Sequence, residues 1–461
     1  MALTGDFYDQ LDECTINEDY DGMITLADSL DEKELPQYKD DIVTALEGIS
    51  ALWCADLLCD NIKPEGPQSH VDTLFDVLNN IGRFRQDALY FAARALCFEY
   101  QASIQTTDAK KQLNLQKAAD EYVKAKAEQL EGEASPSVQL GNKLLDKMQM
   151  INLLPDKAFE TILGLFERGF AEYSNDTASV FLNATLRILE LHVDEKLHWH
   201  SVFMGRFNEL MTAFAKKDPA VYLHWSSQLS MLSKFKKDDL GPVYIAEINQ
   251  QSIDLLLPLI GQESDDELFL TSCGYHFRQA AARMSDDAIA QKIRYYEAAL
   301  VFFKKAIAVN PVSSLFVLYA TNLLSDMAAV YNELQNQEKL VEVFEEGRRI
   351  FATDAHKRDS SLPLFWGQFL VEYARLVYDF DAPEILAEAW LQLNAAKDQG
   401  LDANNPHLYT LLALVALKRS GVEASLGILK ESEKVFSDSY KYMIKEVVQN
   451  DVAFEEIWSH L

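Results

Sequence analysis

The stretch Leu324–Ala352, LSDMAAVYNELQNQEKLVEVFEEGRRIFA, decides the fold. Leu324, Met327, Ala328 and Tyr331 recur at i, i+3, i+4 and i+7, which gathers apolar groups on one face of a helix. Leu340, Phe344 and Gly347 follow at i, i+4 and i+7 on a second helix. Small residues around an aromatic let two helices approach while the ring fills the gap. The pattern predicts a helical hairpin, with Phe344 seated between its two helices over Leu324, Met327 and Tyr331.

The same second-helix spacing appears elsewhere. Ala299, Phe303 and Ala306 repeat it and end at Pro311, and Ala118, Tyr122 and Ala125 repeat it after an expected enlarged turn, TTDAKKQLN (Thr106–Asn114). Leu96, Cys97 and Tyr100 match the first helix, Trp225 and Trp366 stand at the head of the same spacing, and Ala389, Leu393 and Ala396 follow the Trp366 segment. Alternating Val/Ile/Thr runs are nearly absent, while apolar residues keep the helical period through almost every segment. Short breaks at 63–69, 131–137, 216–219, 238–242, 263–267, 310–311, 353–363 and 403–406 leave room for one or two helices between them. The expectation is an all-α chain of antiparallel hairpins in three regions: an acidic 1–62, an irregular 70–240 and a more regular 243–461.

These segments resemble tetratricopeptide (TPR) repeats, of the form W-x2-L-G-x2-Y…A-x3-F…P over about 34 residues. The resemblance implies an α-solenoid whose first helices line a concave groove that binds a peptide or partner helix. The lining residues it implies lie one turn around from the core stripe. They are Asn322, Ser325, Ala329 and Asn332; Ser226, Ser230 and Ser233; and Arg94, Phe98 and Gln101. The Lys/Arg/Asn clamp that TPR co-chaperones use for chaperone C-terminal carboxylates is absent from these positions.

Charge narrows the partner. Against 42 basic residues stand 72 acidic ones, a net charge of −30. Such a field repels phosphate backbones and anionic membranes, so a basic or amphipathic protein segment is expected rather than nucleic acid. The first 60 residues alone hold 16 acids and 2 lysines, the most acidic end of the chain. Cys14, Cys54, Cys59, Cys97 and Cys273 are sparse and lack zinc or C-x-x-C spacing, which reads as free thiols in a reducing compartment. The N-terminus has no apolar leader, and the longest apolar run, Leu408–Leu417, is too short to span a bilayer. A cytoplasmic protein is expected, in its own cell or delivered into another.

Two stretches offer rival chemistry. Asn17–Asp28, NEDYDGMITLAD, imitates a calcium loop, with Asn17, Asp19 and Asp21 alternating before Gly22 and Asp28 at the closing position. Yet Tyr20, Met23, Ile24, Ala27 and Leu30 form an apolar stripe, so a helix capped by Asn17 is the expected form. In HVDEKLHWH, around His192 and His200, Glu195 and His198 have the E-x-x-H spacing of di-iron bundles, but no second such pair occurs. No phosphate-binding, dinucleotide or nucleophile-elbow motif is present. The expected function is a non-enzymatic adaptor, scaffold or chaperone without catalytic, cofactor or metal residues. The alternatives are a helical metalloenzyme at Glu195/His198 and a calcium-dependent regulator at Asn17–Asp28.

Overall fold

Glycine and proline divide the chain into helices. Gly66 and Gly241 stand at φ 97° and 73°, the left-handed region that favours glycine. A proline follows each at the first helical position, where the missing N–H costs nothing. The computed structural model describes residues 4–460 apart from 18, 31–33, 59–65, 172, 192–193, 236–240, 353–358, 360, 402–404 and 437. Among the described residues there are helices and turns and no strand. The chain divides into two compact units, Met1–Val221 and Tyr222–Leu461.

The first unit runs α1 (Thr4–Ile16), α2 (Tyr20–Asp28), α3 (Leu35–Leu58), α4 (Pro67–Phe84), α5 (Ala88–Ser103), α6 (Asp108–Ala127), α7 (Pro136–Ile151), α8 (Asp156–Gly169), α9 (Asn175–Leu189) and α10 (Lys196–Ala215). Helix α11 (Ala220–Phe235) begins at the boundary. Then follow α12 (Pro242–Asp254), α13 (Glu267–Arg283), α14 (Ile289–Val309), α15 (Ser314–Glu333), α16 (Gln337–Phe351) and α17 (Leu362–Tyr378). The last are α18 (Pro383–Asp398), α19 (Pro406–Ser420), α20 (Val422–Val435) and α21 (Asp438–Asn450). Sequential helices pair: α3 with α4, α5 with α6, α7 with α8 and α9 with α10 in the first unit. In the second, α13 pairs with α14, α15 with α16, α17 with α18 and α19 with α20. Each of these later hairpins also packs on the next, first helix to first helix (α13 to α15 to α17 to α19). This is the α-solenoid class of stacked antiparallel hairpins.

The apolar spacing becomes core. Ala299, Phe303 and Ala306 are fully buried, as are Ala389, Leu393 and Ala396. Phe344 is fully buried in one cluster with Leu324, Met327 and Tyr331, but its ring contacts lie one hairpin further on. It stacks on Tyr373 with centroids 4.7 Å apart and meets Phe369 in a tilted contact at 5.0 Å. Phe344 therefore shares the core of its own hairpin and also joins that hairpin to the next one. Gly347 is the reason the two can close: a Cβ there would collide with the Phe369 ring. Gly274 makes the same room for Phe303 within the α13–α14 hairpin.

Local expectations are corrected at two places. The enlarged turn at Thr106–Asn114 is short, because α6 begins at Asp108, an acid favoured in a first helical turn. In α2 the cap is Asp19, whose carboxylate accepts from the Gly22 N–H at 2.9 Å, and not Asn17. Met23 and Ala27 are buried as the stripe requires. Asp28 at the far end pairs with Arg83 of α4 at 2.8 Å. Asp19 and Asp28 thus lie about 13 Å apart along a helix axis, not around a common centre. Leu408–Leu417 is buried throughout. Among the described residues α15 alone is long and apolar enough to cross a membrane, and 56% of its apolar window is buried inside the protein.

Phe344→Ala is expected to cost about 3–5 kcal/mol, because it removes a buried ring and leaves a cavity. Hydrogen exchange should accelerate across α15–α18, on both sides of the Phe344–Tyr373 stack, while α1–α10 keep their protection. Asn332→Ala, at an exposed position of α15, should stay within about 0.5 kcal/mol. A neutral Phe344→Ala, or loss of protection along the whole chain in one step, refutes this account of the stacking.

Candidate functional site

First helices of consecutive hairpins meet with one face uncovered. Between α15 and α17 they enclose a pocket of about 90 Å³. Thr321, Asn322 and Ser325 line it from α15, Gln368 and Glu372 from α17, and Phe351, Phe365 and Phe369 supply the rings. That volume holds several waters or the end of one side chain. The Ser325 hydroxyl donates to Glu372 Oε2 at 3.4 Å. Burial pushes the Glu372 carboxyl above its ordinary range, opposed by hydrogen bonds from Ser325 and Gln368 and by the more distant charge of Arg375. Arg375 itself faces Asp451 at 3.6 Å. No lysine, arginine or histidine among the described residues stands at ion-pair distance from Glu372. Phe365 stays 36% exposed at the rim. The face continues onto α13, where Tyr275 meets Tyr319 in a tilted contact at 6.4 Å and Arg278 pins Asp326 at 2.6 Å.

The structure thus brings Asn322 and Ser325 together, and Ala329 and Asn332 continue the same face in the open. The serines of α11 are placed otherwise. Ser226 is buried and donates to the Ser252 carbonyl at 2.6 Å, and Ser233 is buried and donates to Asn249 Oδ1 at 2.7 Å. Both hold α11 to α12 and cannot line a groove; Ser230 is half-buried. Arg94, Phe98 and Gln101 are half-buried on α5. Arg94 bonds Asn79 at 2.8 Å and the Tyr90 hydroxyl at 3.2 Å and pairs with Glu121 at 3.4 Å. Phe98 packs on Phe75 with centroids 4.7 Å apart. These two brace α4, α5 and α6.

Gln368, Glu372 and Phe365 lie outside the register that Trp366 defines as the head of the first-helix core. Counted from Trp366, the groove positions fall on Leu364, Gly367, Val371 and Ala374, all buried. Trp366 is instead half-buried and lies flat on Phe351, centroids 5.6 Å apart. Shifting the register by one, to Gly367 packed against Leu393, exposes Phe365, Gln368 and Glu372 as a polar stripe. The signal was the i, i+3, i+7 spacing of those residues.

The rival sites take ordinary structural forms. Glu195 and His198 are exposed at the start of α10, and His192 lies outside the described residues. His200 is buried, with Nδ1 2.7 Å from the Thr185 carbonyl, and burial lowers its pKa. Among the described residues no group of three His, Cys, Asp or Glu side chains could hold a metal ion. Cys14, Cys97 and Cys273 are free thiols. A larger cleft of about 270 Å³ lies between α5 and α8. There Glu99 pairs with Arg168 at 2.6 Å and accepts from the Tyr122 hydroxyl at 3.2 Å.

Fold and site together define a helical-hairpin repeat protein whose successive first helices share one open polar face. No protein-family model matches the chain, and no curated protein matches it. Among solved structures it is similar to a circular tandem repeat protein with novel repeat topology and enhanced subunit contact surfaces, at 11% identity and TM-score 0.34 over 96% of each chain. It is also similar to a human IFIT1 dimer with PPP-AAAA, at 12% identity and TM-score 0.19 over 89% of this chain and 96% of that one. Yeast Tom70 matches at 11% identity and TM-score 0.17, over 92% of this chain and all of that one. Scores this low identify no relative, and the class rests on the hairpins themselves.

One group near the α13 face sets a pH dependence. Burial, then the charge of Arg283 and the neighbouring His224, holds the His276 pKa down to about 4. The unfolded chain takes up this proton near pH 6.5. Stability from neutral His276 is therefore complete above about pH 6.5 and is lost as pH falls toward 4. The Tm of the wild type should fall over that window, and His276→Gln should flatten the slope, whatever its own cost at pH 7. Parallel Tm–pH curves for the two proteins refute the assignment.

Proposed function

We propose that the chain is a non-enzymatic adaptor, scaffold or chaperone that holds a segment of a partner protein along the face of α13, α15 and α17. The observation that carries this reading is the pocket at Asn322, Ser325, Gln368 and Glu372. It is built from two successive hairpins, with Asn322 and Phe365 exposed at its rim. A face shared by repeats suits an extended or helical segment, because such a ligand meets one repeat after another. The net charge of −30 favours a basic or amphipathic segment over a nucleic acid. Free thiols suit a cytoplasmic setting.

The test is affinity capture from a native lysate followed by mass spectrometry, with the wild type and two variants. Asn322→Arg/Ser325→Arg should fill the pocket, retain wild-type helicity and lose the captured partner by tenfold or more. Glu423→Gln, at an exposed position on α20, should capture it unchanged. Equal capture by the wild type and the Asn322/Ser325 variant overturns the reading.

A further inference from the structure

Many part-buried carboxylates of the hairpin stacks are met by a cation; among the described residues Glu372, like Glu267, which accepts from Asn310 Nδ2 at 2.9 Å, is not. Glu99 is met by Arg168 at 2.6 Å, Glu121 by Lys124 at 2.9 Å and Arg94 at 3.4 Å, and Glu388 by Arg348 at 2.8 Å. Glu346 has both Lys304 at 2.5 Å and Arg349 at 2.6 Å. Glu372 has the Ser325 hydroxyl and the Gln368 side chain and, among the described residues, no cation at ion-pair distance. A desolvated carboxylate is costly without a counter-charge. Evidently the fold tolerates that cost at a position that opens into a pocket on the groove.

We infer that Glu372 is the specificity-determining residue of this groove and receives the cationic end of a lysine or arginine side chain from the bound protein segment. This rests on the groove reading above and names the chemistry it selects. The pocket fits the task in size and lining. Its 90 Å³ admits an ammonium or guanidinium group but not a larger part of the ligand. Phe351, Phe365 and Phe369 offer apolar surface to the methylene stem and ring faces to the charge. Asn322, Ser325 and Gln368 supply oxygen acceptors for the N–H groups that Glu372 leaves unmet. The overall negative field draws a cationic segment toward the face before contact. Burial raises the Glu372 pKa, and a docked cation would act in the opposite direction. The site thus gains its ion pair only with ligand present.

The experiment is a selection of random dodecapeptides displayed on phage against the immobilised full chain, followed by fluorescence-polarisation titration of the enriched peptides. Enriched peptides should carry Lys or Arg at one fixed position. Lys→norleucine or Arg→citrulline at that position should weaken binding tenfold or more. Glu372→Gln should cause a similar loss, and the two changes together should cost little more than either alone. Whether the winners hold Lys or Arg distinguishes a point charge from a planar fork. The peptide-side change needs no altered protein, so it remains decisive if Glu372→Gln perturbs folding. Peptides blocked by Asn322→Arg/Ser325→Arg but indifferent to norleucine, citrulline and Glu372→Gln overturn the assignment of Glu372 and leave the groove reading standing. Peptides indifferent to Asn322→Arg/Ser325→Arg, or no enrichment at all, overturn both.

Discussion

The seating of large side chains on glycine is the contact on which the second unit depends. Phe369 lies where Gly347 would carry a Cβ, Phe303 where Gly274 would, and Leu393 where Gly367 would. In a stack each hairpin touches only its neighbours, so position is passed along the chain one contact at a time. The Gly347–Phe369 seat fixes how closely α17 approaches α16, and the Phe344–Tyr373 stack fixes its rotation. Together they decide which residues of α17 face α15. The pocket at Ser325 and Glu372 is a consequence of that rotation: a turn of one residue would replace Gln368 and Glu372 by apolar groups.

Charge is distributed to the same end. Basic residues are scarce in this chain, and many of them bind hairpins together. Arg187 of α9 reaches Gln149 and Asn142 of α7 at 3.0 and 2.7 Å, and also Asp146. Arg206 of α10 holds Glu167 of α8, and Arg278 of α13 holds Asp326 of α15. Exposed pairs of this kind add little stability each, so their effect is mainly on register. Using the cations internally leaves the acids in excess at the surface. Among the described residues it also leaves Glu372 with no cation at ion-pair distance, Arg375 instead facing Asp451.

The helical hairpins were legible because burial on one face imposes a period that sequence displays directly. The Leu324, Ala299 and Ala389 stripes became core, and in α2 Met23 and Ala27 are buried while Tyr20, Ile24 and Leu30 are half-buried. What lay beyond one helix was harder to read. The further contacts of Phe344 with Phe369 and Tyr373 depend on the next hairpin, which its own segment does not encode. Ser226 and Ser233 looked exposed because only one core stripe was counted. Yet α11 also buries Val221, Leu223, Trp225, Leu229 and Leu232, so its polar side meets α12 rather than solvent. Trp366 misled for a different reason. A large aromatic signals burial, but stacked on Phe351 it is satisfied at the edge of the core as well as in it. The small residue, Gly367, marks the closest approach and so the true register.

A site of this design cannot be contained in a single repeat motif. Asn322 and Ser325 belong to one hairpin, and Gln368 and Glu372 to the next. Each half taken alone is a pair of polar residues on a helix face, with nothing to distinguish it from ordinary solvated surface. Chemistry appears only where the halves face each other, and there burial of the carboxylate changes its behaviour. A ligand that bridges α15 and α17 would also tie together two hairpins that already meet through apolar packing, the Arg348–Glu388 ion pair and hydrogen bonds such as Ser325–Glu372 and Tyr373–Glu345. Binding and stacking therefore act on the same coordinate. The contacts that set the rotation of α17 set the shape of the pocket, and a cation in the pocket holds that rotation in place.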